Sequence, residues 1–352
     1  MNLADYFSNH KKDIASHLTA YLREKEAASG KELAGHFARL AEFAVRGKML
    51  RGIFVILSYE AYGGGKVDSA VLNAAAAMEL AHSSFLIHDD IMDRDLLRRG
   101  QATIFAQYIT KAKKDKVPDP ELYGQAMGIL SGDLAIMMCH ELLAKSSSNA
   151  ESAQKIAQVS AKEIQQVILG QFLDYQFGQT NEEPSEGQIL QMYMLKTGGY
   201  TFALPLVIGA ILAGADHKEI SQLDSLGRNL GTIFQIKDDE MGLFGTEEFI
   251  GKPIGTDIRE NKKTLIRQLL FEQASPEEKK HLDSLFGNQN LTQEEVKKVC
   301  DLIDSHKIRE TVGERINKLS QEARQIIQKL NIADEPRKLL LHLEEYNRSR
   351  VS

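Results

Sequence analysis

The chain has 352 residues, 43% hydrophobic and 26% charged, an ordinary globular composition with enough apolar material for a large core. Its net charge is −6 and its one basic run, Lys111 to Lys116, is broken by an aspartate, which argues against nucleic-acid binding; two cysteines, Cys139 and Cys300, make neither a disulfide framework nor a thiolate metal site and fit a reducing compartment. The N-terminus lacks a basic and apolar leader and no apolar run reaches membrane-spanning length, so a soluble, cytoplasmic protein is expected.

Helical periodicity dominates, and no segment alternates convincingly as a strand. Length alone would allow two domains, but no Pro/Ser/Gly-rich linker divides the chain, so one domain over residues 1–352 is expected. Residues 3–25 and 31–46 read as amphipathic helices, with Phe37, Leu40 and Ala44 on one face of the second. The pattern breaks at Gly47 and restarts as a helix over 53–62. Lys48 and Arg51 stand three apart near its start, beside a positive helix end that favours anions. From these residues alone, a solvated basic pair is the simpler reading.

Gly63 to Gly65 turn the chain into an apolar helix capped by Asp68 and running through Ile91. Asp89 and Asp93 are four residues apart there, so their carboxylates share a face. Two such charges resist burial unless a cation sits between them. Magnesium suits the position, because it takes one or two carboxylates and completes its shell with water and phosphate oxygens. Arg98, Arg99 and Gly100 follow as the matching half of a diphosphate site. Taken alone, the acidic motif describes an exposed helix end equally well.

Residues 105–122 read as an irregular, lysine-rich connection, followed by helices over 122–145 and 150–178, the second with Gly170, Gln171 and Asp174. A surface turn over 180–187 contains Pro184. The next helix carries Lys196, Thr197, Gly198 and Gly199, and Pro205 should kink its apolar continuation to Ala213. Asp216 and Glu219 resemble a capping box for a helix in which Gly227 and Gly231 are spaced for close approach of a neighbour. That helix ends in Phe234, Gln235, Lys237, Asp238, Asp239 and Glu240, a second acidic motif. A loop with Gly245, Gly251 and Gly255 then carries Lys252, Asp257, Arg259, Lys262 and Lys263. The remaining helices start at Ser275-Pro276, Thr292 and Asp334-Glu335-Pro336, carry no site signal, and are expected to give support over 275–352.

Two acidic helix ends, each trailed by cations, suggest one metal–diphosphate site between facing helices, as in other helix-bundle metal sites. The cations outnumber what one diphosphate needs, so a second anion is expected. No Ser-His-Asp or Cys-His arrangement, Walker loop or Rossmann glycine fingerprint competes.

In this order the motifs resemble those of the trans-type polyprenyl diphosphate synthases. The matches are Gly47-Lys48-x-x-Arg51, His82, Asp89-Asp90-x-x-Asp93, Arg98-Arg99-Gly100, Gly132-Asp133, Gly170-Gln171-x-x-Asp174, Lys196-Thr197, Phe234-Gln235-x-x-Asp238-Asp239, Gly251-Lys252, and Asp257 with Asn261-Lys262. The resemblance covers 47–264 motif by motif. It implies an all-α fold of about a dozen helices around a central cavity, usually as a homodimer. An allylic diphosphate (dimethylallyl, geranyl or farnesyl) ionises, isopentenyl diphosphate attacks the cation, and the product is one isoprene unit longer.

The resemblance also implies roles. Asp89 and Asp93 would hold two magnesium ions and Asp238 a third, with Asp239 beside it as a further residue of the metal site, so that about three ions bind with the allylic diphosphate. Arg98, Lys196 and Lys252 would bind that diphosphate. Lys48, Arg51, His82 and Arg99 would hold the metal-free diphosphate of isopentenyl diphosphate. Thr197 and Gln235 would lie along the reacting carbons, and no protein base is implied because the departing pyrophosphate takes the proton. Phe85, four residues before Asp89, would stand about 6 Å lower along the helix. With small Ser84 and Ala81 beside it, Phe85 should permit a short product, geranylgeranyl in preference to farnesyl diphosphate.

The chain departs from the pattern at three places. Gly242 replaces the third aspartate of the second motif. Ala102 and Phe105 stand where a proline and a histidine are common after the paired arginines. Arg46 and Gly52 replace a glycine and a proline around Lys48. Two other classes share parts of the pattern: a non-catalytic partner subunit, which tends to lose the first acidic motif kept here, and a terpene cyclase, which would not need Lys48, Arg51 and His82.

Overall fold

The structure, a computed structural model, describes residues 3–180, 182–245 and 255–350. Among the described residues it is all-α apart from one two-stranded hairpin, as the periodicity predicts. The chain forms two compact units, each non-contiguous: residues 1–159 with 205–216, and 160–204 with 217–352. The chain crosses between them inside a helix, at Pro205 and after Asp216, so no linker composition marks the division.

The first unit contains α1 (Leu3–Ala28), α2 (Ala34–Ala44), α3 (Leu50–Ala61), α4 (Ser69–Met92), α5 (Ile104–Lys114), α6 (Pro120–Ala144) and the start of α7 (Ala150–Gln179). Its centre is α4, with Ala74 to Leu80 all nearly inaccessible. Asp68 caps α4 as expected, accepting from the backbone N–H groups of Ala70 (2.9 Å) and Val71 (3.1 Å). Glycines on α6 let α4 and α5 approach. A Cβ at Gly128 would lie 2.6 Å from Ile91, and one at Gly132 would lie 2.2 Å from the His88 Nε2.

Residues 104–114 form a helix and not the irregular connection expected. Ile104, Phe105, Tyr108, Ile109 and Ala112 make one buried face, and the exposed lysines 111, 113 and 114 gather in the last turn, where the helix dipole favours cations. The aromatic departure at Phe105 is part of this face, packed on Gly128.

The second unit holds the rest of α7, α8 (Glu186–Tyr193), a π-helical segment (Met194–Ala203), α10 (His217–Phe244), α11 (Thr256–Arg259), α12 (Leu265–Gln273), α13 (Pro276–Leu285), α14 (Gln293–Ser305), α15 (Ile308–Lys329) and α16 (Asp334–Ser349); α9 (Leu204–Leu212) leads back into the first unit. The Ser275 and Thr292 capping boxes form as the sequence indicates. The turns before Pro205 are not regular α-helix. The Leu204 N–H donates to Gly199 O, five residues back, and the preceding turns are π-helical. Gly227 and Gly231 serve the close approach foreseen for them: a Cβ at Gly231 would lie 2.2 Å from Gly198 Cα, and one at Gly227 would lie 2.3 Å from Ala203 Cα.

Ser69–Met92, Pro120–Ala144 and Glu186–Leu212 are long and apolar enough to span a membrane, contrary to the expectation that no stretch is. The most apolar windows of the first and third are 67% and 78% buried inside the protein, which accounts for their composition. That of α6 is only 39% buried, leaving Leu122, Ile129, Leu130 and Met137 on its surface.

Candidate active site

In the first unit the site is built on α4 and the turns around it. Met49 takes a left-handed backbone conformation (φ 56°) just before α3 and sets Lys48, exposed, and Arg51, buried, on either side of the helix start. Leu97–Arg98 and Gln101–Ala102 pair as an antiparallel hairpin whose two turn residues, Arg99 (φ 53°) and Gly100 (φ 72°), are both left-handed. A two-residue hairpin turn with this twist requires positive φ at both central positions, and Arg99 carries that cost as a non-glycine.

The turn sends the paired arginines different ways. Arg98 Nε donates to Asp90 Oδ1 at 2.5 Å, while the Arg99 guanidinium lies 3.2 Å from where a Cβ on Gly47 would be. Gly47 is thus the residue that lets the guanidinium sit over the Lys48 turn. Arg46, the departure beside it, pairs with Glu42 (2.6 Å) and adds another cation. A small open pocket is lined by Arg46, Gly47, Glu79, His82, Arg98 and Arg99. Burial and then the charges of Arg51, Arg99 and Arg98 push the His82 pKa well below its ordinary value, so the imidazole is neutral.

Asp89 and Asp93 are both half-buried at the C-terminal end of α4, and Asp90 between them is fully buried. Burial pushes Asp90 up to about 7 against the pull of Arg98. The sequence reading gave Asp90 no role; the structure makes it the anchor of Arg98. Phe85 is half-buried, whereas Ala81 and Ser84 are 2% and 1% exposed, and Ala81 meets Cys139 of α6. Those two small residues are therefore buried and do not form an open wall.

In the second unit the motif residues form two hydrogen-bonded sets. A Cβ at Gly170 would lie 2.4 Å from the Lys196 backbone N, and this close approach brings Asp174, one turn on, to accept from Lys196 Nζ at 2.5 Å. Thr197 Oγ1 donates to Gln235 Oε1 (2.8 Å), and Gln235 Nε2 donates to Asp239 Oδ1 (2.9 Å). The Tyr193 hydroxyl donates to the other Asp239 oxygen and accepts from the Leu265 N–H at 2.8 Å. Asp239 is 7% exposed, with its pKa pushed up to about 8 by burial and by Asp257. Tyr193 escaped the sequence reading, since nothing local marks it.

Asp238, on the more open side, is met by Arg350 Nη2 at 2.9 Å, and the Arg350 guanidinium stacks on Phe234 at 4.2 Å. The C-terminal helices thus do more than support, because the residue after α16 reaches the second acidic motif. Lys252 lies outside the described residues.

Among the described residues no three His, Cys, Asp or Glu side chains converge as a metal cage. Half-buried Asp89 and Asp93, sharing a helix face with hard oxygen donors, nevertheless fit magnesium, which is held by one or two carboxylates and finishes its shell with substrate phosphate and water.

The sequence model of the polyprenyl synthetase family matches residues 36–303. A short chain isoprenyl diphosphate synthase of Methanocaldococcus jannaschii is 34% identical over 259 residues, 73% of this chain and 72% of the relative. A geranylgeranyl diphosphate synthase of Sulfolobus acidocaldarius is 30% identical over 305 residues, 86% of each chain. The crystal structure of a geranylgeranyl pyrophosphate synthase of Corynebacterium glutamicum, complexed with isoprenyl diphosphate and magnesium, superposes with a TM-score of 0.90 at 28% identity, covering 99% of this chain and 100% of that one. Motif order, helical architecture and these likenesses agree: the chain belongs to the polyprenyl synthetase family.

Proposed function

We propose that the protein condenses isopentenyl diphosphate with an allylic diphosphate, using magnesium, to give a short all-trans product, geranylgeranyl diphosphate. The observation that carries this reading is the pocket lined by Arg46, His82 and Arg99 on the same helix region as Asp89 and Asp93. It offers a metal-free anion site beside carboxylates suited to magnesium. The product length is supported by the geranylgeranyl synthases among its relatives.

Asp89, Asp93 and Asp238 are the magnesium ligands in this reading, and bound magnesium supplies charge neutralisation to the departing diphosphate. Asp239, with both oxygens engaged by Tyr193 and Gln235, acts as the brace of Gln235. Arg98, Lys196 and Lys252 take the allylic diphosphate; Lys48, Arg51, His82 and Arg99 take that of isopentenyl diphosphate. Neutral His82 contributes an N–H. The Thr197 hydroxyl proton is committed to Gln235, so its remaining polarity is lone-pair density, which stabilises an allylic cation.

Enzyme, magnesium, isopentenyl diphosphate and each allylic diphosphate are incubated and the product sized. Lys48→Ala should then raise KM for isopentenyl diphosphate at least tenfold with little change for the allylic substrate, because only one substrate's binding is lost. No consumption of isopentenyl diphosphate refutes the reading. A cytoplasmic homodimer completes it. The exposed stripe of Leu122, Ile129, Leu130 and Met137 on α6 supports the dimer, and Leu130→Glu should shift the mass in solution to that of a monomer.

A further inference from the structure

We propose that Glu79 is a positioning residue of the cationic pocket: its carboxylate ties the first turn of α3 to α4 and sets the Arg51 and Arg99 guanidiniums in place for a metal-free diphosphate. The proposal rests on the functional reading above and adds a residue to which that reading gives no part.

Glu79 is 3% exposed, yet it lines the pocket with His82, one turn further along α4. A buried carboxylate is costly unless it is paired and hydrogen-bonded. Here it accepts from the Gly52 N–H at 2.8 Å and from the Arg51 N–H, and the charges of Arg51 and Arg99 face it. The first turn of a helix has N–H groups with no partner inside the helix. Met49, at the capping position of α3, offers no side-chain acceptor. Glu79 supplies that acceptor from α4, so the cap of α3 and the floor of the pocket are the same carboxylate.

Gly52 makes the arrangement possible in two ways. A Cβ there would lie 2.9 Å from both Ala75 O and Ile14 Cδ1, so only glycine allows α3 and α4 to approach to this distance. It also has an N–H, which a proline at this position would lack. The departure noted at position 52 therefore comes with an additional bond to Glu79, and that bond sits one residue from Arg51.

Two consequences of removing the charge oppose each other. Loss of a negative group near an anion site strengthens anion binding; loss of the charge that faces two guanidiniums and anchors the first turn of α3 weakens it. Positioning predicts the second. The test is Glu79→Gln in the full chain, which keeps one oxygen acceptor but turns an amide NH₂ toward the guanidiniums. Binding of inorganic pyrophosphate is measured by calorimetry in excess chelator, alongside KM for each substrate and kcat. Pyrophosphate affinity should fall about tenfold, and KM for isopentenyl diphosphate should rise about tenfold with the allylic KM within about twofold. Unchanged or tighter pyrophosphate binding, or equal changes in both KM values, would overturn the proposal. If Glu79→Gln fails to fold, Glu79→Asp, which retains charge but is one methylene short of Gly52, is read by the same ratios. Wild-type consumption of isopentenyl diphosphate tests the functional reading separately, and the chelated pyrophosphate measurement decides the role of Glu79 even if that reading fails.

Discussion

Asp257 stands where a side chain on Gly242 would begin: an ideal Cβ at Gly242 lies 2.8 Å from Asp257 Oδ2. Gly242 is the place of the absent third aspartate of the second acidic motif, so the space that residue would claim is already held by a carboxylate from α11. Restoring the aspartate should therefore do harm. We expect Gly242→Asp to lower turnover about tenfold and stability by about 1–3 kcal/mol, through overpacking and like-charge contact. Turnover at saturating magnesium and thermal unfolding check it, and a gain in magnesium affinity would contradict it.

Asp89→Ala and Asp239→Asn should differ in size. Each charge-stabilising contact made in the transition state is worth about 10² to 10³ in rate, and Asp89→Ala removes outright the metal contact proposed for Asp89. Asp239→Asn keeps a side chain able to accept from Tyr193 or Gln235, so its loss should be smaller, about tenfold, and chiefly in kcat. Steady-state kinetics at several magnesium concentrations separates the two. Equal losses would mean that Asp239 ligates metal directly.

Arg350 occupies Asp238 Oδ1 as an internal cation, and its Nε and Nη1 are buried without a hydrogen-bond partner. A metal at Asp238 has to compete with that guanidinium. Arg350→Ala should thus lower the magnesium concentration for half-maximal activity several-fold, and the same shift should appear in calorimetric titration with magnesium and pyrophosphate. An unchanged titration would show that Arg350 imposes no barrier.

Phe85 and Ser84 should respond in opposite ways. Phe85→Ala, at a half-buried position on the Asp89 face of α4, should lengthen the product seen by chromatography. Ser84→Phe places a large ring at a site only 1% exposed; it should cost about 1–3 kcal/mol of stability instead of simply shortening the product. A stable Ser84→Phe enzyme making a shorter product would restore the open-wall reading.

Much of the helical framework is legible because its signals are local. The Asp68 cap, the Ser275 and Thr292 boxes and the glycine spacing of α10 can each be read within a few residues, and each appears where read. The acidic motifs are legible for the same reason. The missed features depend on partners distant in sequence. Glu79 acquires meaning only through Gly52, Tyr193 through Asp239, and Arg350 through Asp238. Helix α5 was obscured by its lysines, which fall in one turn and leave the buried stripe from Ile104 to Ala112 intact. The membrane-length helices were missed because polar residues interrupt apolar runs whose average is still high.

The π-helical segment has a consequence for how this region can vary. With hydrogen bonds reaching five residues back, Met194–Ala203 accommodates a residue more than α-helical winding would. Excising any one residue would let the helix rewind as α, and each residue of an α-helix turns the chain by about 100°. Lys196 would then leave Asp174, Thr197 would leave Gln235, and the glycine face that admits Gly231 would point elsewhere. The segment can exchange side chains, but its count of residues is fixed by the phase it keeps.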